Sequence, residues 1–236
     1  RALFEADGHA PMEFDQPVAL LYLNPTRHSI TPLQEGTELV CGSFLFGADL
    51  RNPVTRALTD VVVTCFADSP LLEPTVNLLF AEVERQGSGH QAVLDRLLEV
   101  VIVQALADLI DSGKSTHGLM AGMAHPRLRQ ALAAVHERPQ ESWTVESMAE
   151  QAGMSRARFA ATFRQVIGTT PLAYLGEWRV SLAMKLLAQG QSVPQVAQRV
   201  GYGSANAFAR LFKSVVGTSP FRWQKSLNEG ADKVPA

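Results

Sequence analysis

The order of apolar and polar positions divides the chain into a part typical of strands and a part typical of helices. In the first forty residues helical periodicity is weak, and apolar runs at 17–24 and 37–46 lie among turn-forming residues, which predicts short strands. From Glu73 to Ser112 the spacing becomes helical, with a break at 86–89. We therefore predict a small β region followed by two helices.

The second of these helices has two apolar stripes. The first contains Val93, Leu97, Val100, Val101, Gln104 and Ala105, and the second contains Leu94, Leu98, Ile102, Leu106 and Leu109. A helix that is apolar on two faces must bury both, and the second face commonly contacts a partner subunit. The segment 73–112 is therefore predicted to dimerise. Its longest apolar run, at 100–110, is too short for the roughly 20 residues of a membrane span.

The C-terminal part contains an internal repeat. Residues 144–153 align with 192–201 at an offset of 48, and residues 155–171 align with 204–220 at an offset of 49. Each copy has the pattern of two helices joined by a tight turn, because each has a small polar N-cap residue before either helix and a Gly between the helices. The expected N-cap residues are Thr144, Ser155, Ser192 and Ser204, and the turn glycines are Gly153 and Gly201. The repeat therefore predicts two helix-turn-helix motifs, at about 144–167 and 192–216.

The second helix of each copy is predicted to bury an apolar stripe and expose a small, basic face. Such a helix fits a major groove about 12 Å wide and meets phosphates at the groove rims. Asn206 and Arg210 are the expected base-contacting residues, because Asn pairs bidentately with adenine and Arg with guanine. The first copy offers mostly alanines, so it is expected to discriminate less. The predicted DNA contacts are Ser155, Arg156, Ala157, Ala160, Ala161, Arg164, Ser204, Ala205, Asn206, Ala209, Arg210 and Lys213.

The segment 171–190 between the copies starts with Pro and stops at Gly, which predicts one helix of nearly twenty residues. At about 1.5 Å per residue this helix spans roughly 30 Å, close to the roughly 34 Å turn of B-DNA. One chain therefore has the dimensions to place two helices in successive major grooves. Tandem helical hairpins also build solenoid scaffolds, but those need several stacked repeats.

Composition and charge support this division. With 236 residues, 46% hydrophobic and 19% charged, the chain is typical of a globular protein of two domains. Residues 1–125 carry 7 Lys and Arg against 16 Asp and Glu, and residues 126–236 carry 14 against 7, so net charges of −9 and +7 give the total of −2. A basic part joined to an acidic part indicates a polyanion-binding module, with chance asymmetry as the alternative.

Several C-terminal motifs resemble the AraC/XylS family of transcription regulators. The matching segments are 143–156, 168–175, 178–183, 200–204, 208–213 and 217–223. Residues 39–44 and the helices to Ser112 are similar to the end of the cupin-type regulatory domain in one branch of that family, without most of its early strands. Gly203 departs from the family, which usually has a polar or acidic residue there. The resemblance implies a bacterial, dimeric regulator that acts at promoters through RNA polymerase, with activation or repression left open.

These observations predict an α+β chain with an N-terminal, partial cupin-like β region and a C-terminal, all-α double helix-turn-helix. The predicted divisions are a regulatory domain at 1–72, a helical dimerisation segment at 73–112, a linker at 113–125, a DNA-binding domain at 126–228 and a tail at 229–236. The expected partners are double-stranded promoter DNA, RNA polymerase, a second copy of the chain and a small-molecule effector, with no membrane. Arg1 is not an initiating residue, so the natural N-terminus is expected upstream.

Candidate chemistry outside the repeat is sparse. Cys41 and Cys65 lack the pattern of a disulfide scaffold or a zinc site, which favours a reducing cytoplasm. Cys41 is a candidate redox sensor, although burial in a strand as a small hydrophobe is the favoured interpretation. His9 and His28 are candidate cupin metal ligands but lack a His-x-His spacing. We expect no metal, cofactor or enzymatic activity; the alternative is a catalytic cupin fused to a DNA-binding module.

Overall fold

A computed structural model describes residues 1–22, 27–42, 61–85, 87–113 and 117–231. These residues form two compact units, of which the first contains residues 1–42 and 61–113 and the second contains residues 117–231. Within the described residues, no helix combines the length and the apolar character that crossing a bilayer requires.

The first unit begins with two small antiparallel sheets. The strands are β1 (Ala2–Ala6), β2 (Met12–Phe14), β3 (Val18–Tyr22), β4 (His28–Pro32) and β5 (Val61–Cys65). Strand β1 lies between β2 and β4, and its fully buried Phe4 pairs with Met12 and Ile30. Strand β3 pairs with β5, from Val18 opposite Cys65 to Tyr22 opposite Val61. The predicted β character of this region is confirmed.

The strand predicted at 37–46 is wrong over its described part. Residues 37–42 have no regular secondary structure, and residues 43–46 lie outside the described residues. The Thr37 hydroxyl donates to the carbonyl of Gln34 at 2.7 Å, a local bond that competes with a strand ladder. Gly42 packs against the side chain of Leu98, because a Cβ at Gly42 would lie 2.8 Å from Leu98 Cδ1. The apolar pattern does not reveal such contacts.

Two helices complete the first unit, α1 (Leu72–Arg85) and α2 (His90–Asp111). Gly89 precedes α2 in the left-handed conformation, with φ of 79°, so the predicted break between the helices is confirmed. Helices α1 and α2 pack against each other, and Ile102 and Ala105 of α2 are buried. The valines at 93, 100 and 103 remain 39%, 43% and 65% exposed. Part of the apolar surface of α2 is therefore open to solvent in the single chain.

The described residues of the second unit form a series of helices. They are α3 (Gly118–Ala124), α4 (Leu128–Glu137), α5 (Val145–Gln151), α6 (Arg156–Ile167), α7 (Pro171–Ala188), α8 (Val193–Arg199), α9 (Ala205–Val216) and α10 (Pro220–Ala231). Helix α10 continues to Ala231, three residues beyond the boundary predicted between domain and tail at 228. Residues 232–236 lie outside the described part of the chain.

The predicted linker at 113–125 is wrong where α3 forms. Leu119, Met120 and Ala121 of this helix are buried. A Cβ at Gly122 would clash with Ile167 Cδ1 of α6 and lie 2.9 Å from Leu132 Cδ1 of α4. The apolar sequence from 119 to 124 therefore joins the core of the second unit, whereas the polar residues that suggested a linker lie before it.

Both helix-turn-helix motifs form at the predicted positions, α5 with α6 and α8 with α9. Thr144 Oγ1 accepts from the backbone N–H of Ser147 at 3.1 Å, whereas the backbone N–H of Ser192 donates to Gln195 Oε1 at 3.3 Å. Between the helices Gly153 and Gly201 have φ of 59° and 84°, a conformation that favours glycine. The predicted capping and turn residues are thus confirmed.

Helix α7 has 18 residues and connects the two motifs. Its C-terminal half forms a core with the second motif, made by Val180, Ala183, Met184, Leu187, Val196, Ala197, Val200, Phe208 and Phe212. Its N-terminal half contacts the first motif, where the ring of Tyr174 meets Phe163 edge to face at a centroid distance of 5.6 Å. The predicted connecting helix is therefore confirmed and serves as the common support of both copies.

Candidate nucleic-acid interface

Helices α6 and α9 are presented in the same way in the two copies. In α6 the rings of Phe159 and Phe163 are buried with centroids 5.5 Å apart, and in α9 the rings of Phe208 and Phe212 are buried with centroids 5.6 Å apart. These pairs face the core, so the opposite side of each helix faces outward. The repeat in sequence therefore produces a repeat in surface geometry.

Every predicted contact residue lies on an accessible side of these helices. Ala160, Ala205 and Ala209 are half-buried, whereas the other nine are exposed: Ser155, Arg156, Ala157, Ala161, Arg164, Ser204, Asn206, Arg210 and Lys213. Ser155 and Ser204 use their hydroxyls as helix caps and accept from the backbone N–H of Arg158 at 3.4 Å and Ala207 at 3.2 Å. The two serines thus set the start of each exposed helix.

The first copy holds an ion pair that the sequence did not reveal. Arg156, the first residue of α6, places Nε 2.6 Å from Oε1 of Glu146 in α5. Both side chains are more than half exposed, at 68% and 54%. The second copy has Ala205 and Pro194 at the aligned positions, so this carboxylate distinguishes the two surfaces.

A cleft with two basic side chains, which we call the basic cleft, adjoins the C-terminal end of α9. It is open, has a volume of about 320 Å³ and is lined by Lys213, Gly217, Thr218, Ser219 and Arg222. Ser219 caps α10 by accepting from the backbone N–H of Arg222 at 3.3 Å. Two cations and a helix N-terminus there make a positively charged concavity suited to a phosphate group. Sequence reasoning missed Arg222, although it lies in the motif 217–223.

The turn of each motif contacts an arginine from outside that motif. In the first copy Arg127 donates to the carbonyl of Gly153 at 3.0 Å. In the second, Arg179 of α7 lies near Gly201 and places its guanidinium carbon 5.2 Å from the ring centroid of Tyr202. Sequence reasoning missed both arginines, since their partners lie about 26 and 22 residues away in sequence.

The candidate sites in the first unit have different outcomes. Cys41 is exposed and outside any strand, so the favoured interpretation of a buried strand cysteine is wrong. The Sγ atom of half-buried Cys65 accepts from Gln16 Nε2 at 3.3 Å. His28 is an exposed residue of β4, and His9 lies in the turn after β1. Among the described residues, no group of three or more His, Cys, Asp and Glu side chains has the arrangement of a metal site.

Comparison with known proteins adds two family matches. Residues 148–226 match the model of a helix-turn-helix domain, and residues 2–111 match the model of a cupin domain. The second match covers the predicted regulatory and dimerisation segments. The first covers both helix-turn-helix motifs except for the N-terminus of α5.

Three relatives illustrate the similarity. The chain is 37% identical over 153 residues to the HTH-type transcriptional regulator AlkR of Acinetobacter baylyi, covering 64% of this chain and 50% of AlkR. It is 32% identical over 192 residues to a putative AraC-like transcription regulator of Streptomyces lividans, covering 79% of this chain and 63% of that protein. It is 30% identical over 213 residues to the HTH-type transcriptional regulator MtrA of Neisseria gonorrhoeae, covering 85% and 69%. These alignments span between half and about two thirds of the relatives' lengths.

Proposed function

This chain belongs to the AraC-type helix-turn-helix family of transcription regulators, and from that premise we propose that residues 117–231 bind duplex DNA sequence-specifically under the control of residues 1–113. The observation that carries the proposal is the pair α6 and α9. Each helix buries two Phe rings and exposes a small, basic face, and the two are supported on one connecting helix.

The two surfaces have different proposed roles. In α9, Asn206 and Arg210 are exposed and have the side chains that pair bidentately with adenine and guanine. Lys213 and Arg222 border the basic cleft and contact phosphates. In α6 the exposed alanines permit a close approach to the bases, while Arg156 and Arg164 lie near the groove edges. The second copy therefore supplies most of the sequence discrimination, and the first supplies position and affinity.

The first unit is proposed to supply dimerisation and control. The exposed valines of α2 offer an apolar surface to the same helix of a second copy, which would remove them from water. The cupin match over residues 2–111 supports a small-molecule effector as the controlling signal. Promoter DNA and RNA polymerase are the further partners of such a regulator, and they place its action in the bacterial cytoplasm. The relatives are named as transcriptional regulators, and we propose no enzymatic activity for this chain.

Selection from a randomised duplex library by the full chain tests this function. The expected result is enrichment of a sequence with two recognised segments about one helical turn apart, on one face of the duplex. Binding of the enriched duplex should weaken steeply as salt rises, because phosphate contacts release counterions. A chain that binds no duplex at low ionic strength would contradict the proposal.

A further inference from the structure

Arg179 lies in the middle of α7, the helix that connects the two helix-turn-helix motifs. Its Nε donates to the carbonyl of Pro139, and its Nη2 donates to the carbonyl of Glu141, both at 2.7 Å. Only 8% of the residue is exposed. A buried guanidinium that donates to two backbone carbonyls is held in one orientation, because losing either bond leaves a buried polar group unpaired.

The carbonyls that Arg179 contacts belong to a well-defined segment that leads into the first motif. The backbone N–H of Trp143 donates to the carbonyl of Glu141 at 2.8 Å, and the Trp143 indole N–H donates to the carbonyl of Arg138, also at 2.8 Å. Thr144, the N-cap of α5, follows directly. The position of Arg179 is therefore tied to the start of the first helix-turn-helix.

The other side of Arg179 meets the turn of the second motif. Its guanidinium lies over the ring of Tyr202, whose backbone N–H donates to the carbonyl of Ala197 at 2.9 Å. Gly201 has φ of 84°, and a Cβ there would lie 2.5 Å from the carbonyl oxygen of Gln140 and 2.8 Å from Nη2 of Arg179. The segment that leads into the first motif and the turn of the second motif thus approach each other closely at this glycine.

We propose that Arg179 is a positioning residue that fixes the orientation of α6 relative to α9, and thereby sets the spacing between the two DNA segments that the chain accepts. We call the contacts among Arg179, the segment 139–141 and the turn 201–202 the Arg179 junction. Only arginine fits this role, because its planar group donates in two directions and stacks on a ring, whereas lysine offers a single compact charge. The proposal rests on the proposed function, since it concerns how two DNA-contacting helices act together.

The consequence for binding follows from the linkage of two modules. When two contacts are made by one rigid body, the second contact forms at a high effective concentration only if the spacing on the DNA matches. A flexible junction accepts several spacings but holds each one less tightly. Loss of the Arg179 junction should therefore change spacing selectivity while the contacts of each single helix remain.

The test repeats the library selection with the full chain as wild type, Arg179→Met and Arg179→Lys. The matched control is Lys185→Met, which removes one positive charge from an exposed position of the same helix. The wild type and the control should enrich one spacing, whereas both Arg179 variants should also enrich spacings one base pair longer and shorter. Affinity for the two-segment duplex should fall about tenfold in the Arg179 variants, with little change for a duplex that keeps only one segment.

The outcomes separate this inference from the proposed function. If the wild type enriches no sequence, the proposed function fails. If the wild type enriches one spacing and the Arg179 variants keep it, or if they lose affinity equally on one-segment and two-segment duplexes, the positioning role is overturned. Thermal unfolding of each variant establishes that it is folded. Arg179→Lys keeps the positive charge but lacks the planar group that donates in two directions and stacks on a ring, so it decides the question where Arg179→Met does not fold.

Discussion

The hydroxyl of Tyr174 and Nε2 of His136 lie 2.6 Å apart, and this hydrogen bond joins α7 to α4. The imidazole also stacks on Trp178, with ring centroids 4.1 Å apart. Burial lowers the pKa of His136 from its usual 6.5 to about 4. Burial, with a smaller contribution from the charge of Glu177, raises the pKa of Tyr174 above its usual range. Both groups are therefore uncharged at neutral pH.

We predict that acidification destabilises the second unit through His136. Between pH 6.5 and 4 the unfolded chain binds a proton on this residue that the folded chain does not. The free energy of unfolding therefore decreases as the pH decreases through this window, by up to roughly 3 kcal/mol. Denaturant unfolding of the wild type and of His136→Gln, which does not titrate, measures the effect. The wild type should lose more stability across this window than the variant, and parallel profiles would exclude the assignment.

Arg210→Ala should weaken binding to the enriched duplex by roughly 1–3 kcal/mol, because Arg210 is exposed on α9 and is assigned to a base. Affinity for random duplex should change much less, and selection with the variant should lose preference at one base pair. Fluorescence anisotropy with both duplexes measures the difference. Equal losses on the two duplexes would instead place Arg210 on a phosphate.

Lys213→Ala should weaken binding to enriched and random duplexes by similar factors. Lys213 borders the basic cleft with Arg222, where a phosphate contact carries no sequence information. The slope of log affinity against log salt should decrease in magnitude by about 1, since one fewer counterion is released. A loss confined to the enriched duplex, with an unchanged salt slope, would contradict the phosphate assignment.

Glu146→Gln should raise affinity for random duplex. The carboxylate holds Arg156 at 2.6 Å and places a negative charge beside a surface that we propose to contact phosphates. Because both side chains are exposed, losing the pair should change the free energy of unfolding by no more than about 1 kcal/mol. The control is Glu150→Gln, an exposed position on the same helix. An equal gain in affinity in both variants would show that the change in net charge, and not the loss of the ion pair with Arg156, causes the effect.

Gly122→Ala should destabilise the second unit by roughly 1–3 kcal/mol, because the added methyl group meets the side chains of Ile167 and Leu132. Alanine is the better helix former, so only a packing cost explains a loss of stability. Gly203→Ala, where a Cβ meets nothing within 4 Å, serves as the control in chemical denaturation. Adding Ile167→Val to Gly122→Ala should recover part of the loss, and a stable Gly122→Ala variant would show that α3 is not packed as described.

The helix-turn-helix motifs could be predicted from the sequence because their determinants are local. Thr144 and Ser155 cap helices within three residues of themselves, and Gly153 takes its left-handed conformation in the turn between them. The buried Phe pairs follow from helical periodicity alone. Local chemistry repeated at a fixed offset therefore located both copies and the exposed face of each.

The remaining features depend on residues far apart in the chain. Arg179 donates to carbonyls 38 and 40 residues before it, and no spacing in the sequence announces such a bond. Helix α3 was missed because its seven residues are too few to show a period, and its stability comes from contact with α4 and α6. The prediction that Cys41 is buried in a strand failed, and Cys41 is exposed. A strand forms only where another strand pairs with it, and the apolar composition around Cys41 does not show whether such a partner exists.

The packing of Gly122 against Ile167 decides where the DNA-binding unit can be cut or grafted. A fragment that starts at 126 would lack α3 and would expose the apolar side chains that α3 covers, among them Ile167 of α6. A fragment that starts at 117 would include α3 and keep these side chains covered. Any sensor fused ahead of this unit would therefore connect first to α3, a helix that contacts α6 of the first motif.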